Sequence, residues 1–100
     1  MLILIPMDSN DPEKASLVMT DQAKYWALIK LDEGKIQKID FYEDRHKIED
    51  FIDVVILASK NDYCWQFIEE DIPILIAPFQ RSIEDIMEAF LFKELYELNG

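Results

Sequence analysis

Few residues in this chain are equipped for chemistry, and each has a plain structural use as well. Cys64 is the only cysteine and His46 the only histidine. Cys64 falls in the first turn of an expected helix, where the positive end of the dipole favours a thiolate, and with it metal ligation or redox reactivity. It also shares a stripe with Phe67 and Ile68, and free cysteine is commonly packed inside. His46 has only carboxylates such as Glu43 and Glu49 for company, three residues to either side on one helical face. A metal site needs more convergent ligands than that. Asp8 and Asp62 sit at expected strand ends, where two carboxylates could clamp the ions of a two-metal nuclease.

A second group is defined by position. In an open α/β sheet, ligands sit where parallel strands end and their connections diverge. Here that crevice would be lined by Asp8 and Ser9, by residues 59–62 and by residues 80–82. Two helix N-termini would point at it, with free N–H groups suited to an anion. Lys60 and Arg81 would add positive charge. Asp8, Lys60, Asn61, Arg81 and Ser82 are therefore the candidate ligand-binding set, although helix capping alone would account for Asn61 and Ser82.

Composition narrows the classes. Ten basic residues against 21 acidic give a net charge of −11. Nucleic-acid binding requires Lys and Arg to displace counterions, so this chain would repel a phosphate backbone. That argument sets the nuclease reading last, and anionic membranes are disfavoured in the same way. Only two glycines are present, Gly34 and Gly100, too few for a phosphate-cradling loop. One cysteine permits neither an internal disulfide nor a cysteine-based zinc site. The opening Met1 to Pro6 is apolar but short for a signal peptide and has no basic leader. No apolar run approaches the ~20 residues that cross a bilayer, so the expectation is a cytoplasmic protein.

The elements that would hold these residues are legible in the apolar pattern. Half of the 100 residues are hydrophobic, which predicts one domain over 1–100 with a single core. Continuous apolar runs predict strands at 2–7, 54–58 and 74–77, and alternation predicts strands at 24–31 and 35–42 joined by a hairpin at Gly34. Residues 43–50 allow a short helix. Asn61 and Asp62 could cap a helix reaching Glu70, and Ser82 with Asp85 resembles a capping box for a last helix over 83–98. The expected fold class is α/β, a mixed five-stranded sheet in the order 3-2-1-4-5 with helices covering it.

The last helix carries apolar residues on two sides. Ile83, Ile86, Met87, Phe90 and Leu91 form a core stripe, while Ala89, Phe92 and Tyr96 lie nearly opposite. Either the second side packs on the shortened 43–51 region, or Phe92 and Tyr96 form a homodimer interface.

Several segments taken together resemble the dinitrogenase iron-molybdenum cofactor biosynthesis family, which has a ribonuclease H-like fold. They are residues 3–8, residues 23–29 with the Gly34 hairpin, residues 52–58, residues 71–77 and Ser82-Ile83-Glu84-Asp85. The likeness spans most of the chain and rests on framework features. It implies a non-catalytic binding or accessory protein of nitrogen fixation, linked to an iron-sulfur-type cluster or its assembly. The competing class is a protein-interaction module that keeps only the scaffold. Where family members carry a Ser-Pro-His-Phe-Gly-Arg-like stretch implicated in cofactor binding, this chain has Leu17-Val18-Met19-Thr20-Asp21-Gln22. A cluster would then have to use other soft ligands, Cys64 or Met19.

Overall fold

The computed structural model describes residues 1–98. Strand β1, Leu2–Met7, is buried from Ile3 onward. A segment apolar on both faces must lie inside a sheet. It pairs antiparallel with β2 (Tyr25–Asp32) on one side and parallel with β4 (Val54–Leu57) on the other. That parallel pairing extends to Leu4 opposite Val55, so the missing N–H of Pro6, further along β1, costs it nothing. Strand β3 (Lys35–Tyr42) returns from β2 through Glu33 and Gly34, with φ of 52° and 76°. Two successive positive φ angles make the tight turn that matches strand twist. Strand β5 (Ile74–Ile76) lies parallel to β4.

The order 3-2-1-4-5 thus holds for five strands, with bounds within a residue of expectation. The sheet has a sixth, β6 (Tyr96–Glu97), antiparallel to β5, giving 3-2-1-4-5-6. It occupies residues expected to be helical. The last helix, α2, spans Ile83–Leu91 and stops there. Its end is a Schellman arrangement: Lys93 N donates to Phe90 O, Glu94 N donates to Ala89 O, and Lys93 has a φ of 58°. Glycine usually marks that position, and its absence hid the stop. Helix α1 (Trp65–Glu69) ends in the same way, with Asp71 at φ 57° and Ile72 N donating to Phe67 O.

Two further expectations need correction. Helix α1 starts at Trp65, after Asn61 and Asp62, and its N-cap is Cys64. The 43–50 segment holds only a single 3-10 turn, Arg45–Lys47, so Glu43, His46 and Glu49 share no helical face.

The sheet divides the interior into two apolar layers, as a strand apolar on both faces requires. On the first face Ile3, Ile5, Ala27, Ile29 and Ile56 pack with Ile83, Ile86 and Met87 of α2, helped by Ala15 and Leu17. On the second, Leu4, Trp26, Leu28, Val55 and Leu57 pack with Phe67 of α1. Within α2, Ala89 faces inward and Leu91 outward, the reverse of the expected assignment. The second layer is closed by Arg45, which is buried although charged. Its Nε donates to Gln66 Oε1 at 3.0 Å, its terminal nitrogens pair with the Glu70 carboxylate, and it stacks 4.6 Å over the Phe67 ring. Among the described residues no helix is long and apolar enough to cross a membrane.

Lys93→Gly should stabilise the protein by about 1 kcal/mol in urea unfolding, because glycine enters the left-handed region without penalty. A helix continuing to Leu98 would give the opposite sign, a loss of about 1 kcal/mol. The hydrogen bond from Arg45 holds the Glu70 carboxyl below its ordinary value. Since the folded-state value is the lower one, this contribution is present above the ordinary glutamate value and is lost as pH falls through the folded value. Glu70→Gln should therefore flatten the acid side of the stability-pH curve while changing stability less at low pH than at neutrality.

Candidate functional site

The crevice lies where β1 and β4 diverge beyond Leu4 and Val55. The chain's own 15–20 segment runs across it. Asp8 N donates to Ser16 O, and Ser16 N donates back to Asp8 Oδ1 at 2.8 Å. Leu17 bridges Met7, its N–H reaches Arg81 O at 2.8 Å, and Val18 N reaches Pro6 O. Ser16 also bridges Ser82. At the far end Thr20 donates through both its N–H and its hydroxyl to Asp62, the hydroxyl at 2.7 Å. A strap of backbone thus joins β1, the loop before α1 and the loop before α2.

The expected ligand-binding residues divide between two places. Asp8, Arg81 and Ser82 gather at one end of the strap, each engaged with the protein itself. Arg81 directs its guanidinium to the carbonyls of Ala77, Pro78 and Gln80. Ser82 accepts from Asp85 N at 3.1 Å and caps α2. Lys60 stands apart, lining an open hollow of about 500 Å³ with Ser59, Ile76, Pro78 and Tyr96. Asn61 is exposed and donates its backbone N–H to Ser59 Oγ. Asp8 and Asp62, considered as a metal-clamping pair, are each taken up by separate backbone donors.

The expected soft ligands are differently placed. Cys64 is buried, with Sγ 3.9 Å from the Lys60 carbonyl. Burial, and then the neighbouring Asp62 carboxylate, push its thiol above the ordinary value. That opposes the thiolate a metal requires. Met19 is half-buried within the strap. His46 is exposed and lies 3.1 Å from Asp44 Oδ1, and its backbone N–H is the main cause of the lowered Asp44 carboxyl. Among the described residues no three His, Cys, Asp or Glu side chains converge as a metal group would need, so the side chains here do not fit an iron-sulfur-type cluster.

The tie between Thr20 and Asp62 escapes sequence reasoning, which offers Asp62 as a helix cap or a metal-clamping carboxylate. Thr20 and Asp62 are 42 positions apart, and no local pattern announces such a pair. Phe92 and Tyr96, expected four apart on one helix, are separated by its end: Phe92 follows α2, while Tyr96 is in β6. Both are exposed.

The thiol should alkylate slowly with iodoacetamide near neutral pH and quickly once the protein is unfolded, with mass spectrometry as readout. The native rate should climb only above the ordinary thiol value. Because the folded value is the higher one, the stability linked to this thiol is present below the ordinary value and lost as pH rises through the folded one. Fast native labelling at pH about 7 would instead reveal an activated thiolate.

The sequence matches no protein-family model and no curated protein. Solved structures are similar along the whole chain. A crystal structure of a provisionally named dinitrogenase from Methanocaldococcus jannaschii superimposes with a TM-score of 0.79 at 14% identity, covering 100% of this chain and 96% of that one. The solution structure of the same-named protein gives 0.75 at 14%, covering 100% and 94%. PH0822 gives 0.73 at 13%, covering 98% and 96%. At such identities the likeness shows the fold, and the chain shares the mixed α/β fold of these dinitrogenase-named structures from end to end.

Proposed function

We propose that this chain is a non-catalytic accessory domain of metallocofactor handling, a divergent member of the dinitrogenase iron-molybdenum cofactor family that works in the cytoplasm through contact with a protein. The family half of this reading is supported by the framework segments, by the ribonuclease H-like strand order 3-2-1-4-5, and by the likeness to structures named as dinitrogenases. The contact half is carried by one observation: the 17–22 segment, which stands where the family's cofactor-binding stretch would be, is used to hold the fold together. Leu17 is buried and bonded to Arg81, and Thr20 is locked to Asp62. With Cys64 buried and its thiol pushed above the ordinary value, the crevice offers the scaffold of a cofactor site without a convergent ligand set among the described residues.

Anaerobic reconstitution with ferrous iron and sulfide, followed by desalting, metal analysis and absorption spectroscopy, tests this. Well under one cluster per chain should survive. A stoichiometric chromophore that Cys64→Ser and Met19→Leu abolish would return the crevice to direct cofactor binding and end the contact reading.

A further inference from the structure

The first face of the sheet is least covered along its β3 edge. Helix α2 lies over β1 and β4, and its partner on that face is the short 15–17 segment. Beyond it the β2–β3 hairpin leaves Ile36 41% exposed. Between helix and hairpin runs an open groove of about 870 Å³, with Ile36, Ile39, Met87, Leu91 and Phe92 along its apolar lining. Leu91 and Phe92 are 44% and 71% exposed. Around them stand the exposed carboxylates Glu13, Glu84 and Glu88, opposed by one cation, Lys35.

We infer that this groove receives an amphipathic helical segment of a partner protein, apolar on one face and flanked by Lys or Arg. The inference rests on the contact reading above and gives it a surface and a chemistry. Shape favours a helix: the groove is walled by α2 on one side and by Ile36 and the half-buried Ile39 of the hairpin on the other, a trough that suits the apolar face of an amphipathic helix. Charge selects the flanks. Three carboxylates against one lysine reward a basic partner and repel an acidic one. A second copy of this chain fits poorly on the same ground, since a twofold contact would set acidic rim against acidic rim on molecules each carrying −11.

The probe is a fluorescein-labelled Leu/Lys amphipathic peptide of about 18 residues, five helical turns. A sequence-scrambled Leu/Lys peptide and a Leu/Glu peptide of the same pattern serve as comparisons. The Leu/Lys peptide should bind in the micromolar range by anisotropy, with amide shifts confined to α2 and the hairpin. Leu91→Asp, at an exposed position, should weaken it by about tenfold or more. Glu84→Lys with Glu88→Lys should weaken the Leu/Lys peptide and strengthen the Leu/Glu one, and circular dichroism would confirm that both variants are folded. Absence of binding, equal binding of the scrambled peptide, or indifference to both sets of substitutions would overturn the inference. So would a concentration-dependent dimer in sedimentation that Leu91→Asp dissolves, which would assign the groove to a second copy. The cluster reconstitution reads the crevice separately: a bound cluster with peptide affinity intact sinks the proposed function alone, and lost affinity without a cluster sinks the groove alone.

Discussion

Everything in this fold answers to the burial of β1 on both faces. Ile3, Leu4, Ile5, Pro6 and Met7 are all withdrawn from water, and each fully buried aliphatic side chain is worth roughly 1.5–3 kcal/mol. Two layers must therefore be covered, and the described residues hold only two short α-helices for the purpose. It makes up the shortfall with irregular backbone. The 15–17 segment supplements α2 on one face, and the Arg45 turn supplements α1 on the other. Irregular backbone can be held at such depth only when its polar groups are satisfied, which is why Asp8 and Asp62 are committed to it, while Gln66 and Glu70 satisfy the Arg45 guanidinium.

This economy explains the conflict between scaffold and site. In an open α/β sheet the crevice at the strand ends is the natural ligand position, and ligating side chains there need to be free. Here the same position carries the ties that join β1 to the loops before both helices. Asp62 is the plainest case: a nearly buried carboxylate whose oxygens accept from Thr20 and Tyr63 has little left for an ion. Arg45 is the complementary case, a cation kept inside by an amide, a carboxylate and an aromatic face.

Sequence reasoning recovered the sheet because its strands are written as continuous apolar runs or clean alternation. Val54–Leu57 and Ile74–Ile76 could hardly be anything else between their turn residues. It failed where the deciding residue looked ordinary. Lys93 takes the left-handed conformation normally marked by glycine, so the expected helix over 83–98 is too long and β6 lies hidden inside it. Ser82 was legible as a cap because capping is local. The strap was not, because Thr20 and Asp62 meet only after the strands between them have paired. The sequence thus marks the strand ends, while the strap that crosses them is set by contacts far apart in the chain.

The pairing of Ile3 with Val54 also sets an order of events during synthesis. At a translation rate of ~5–20 residues per second, β1 waits several seconds for the strand that flanks it. A sheet of β1, β2 and β3 formed in that interval would present an apolar β1 edge with no strand beside it. Such an edge invites strand exchange between nascent chains. The acidic charge offers little protection at that stage, because residues 1–42 hold seven acidic against five basic residues and most of the excess lies further along the chain.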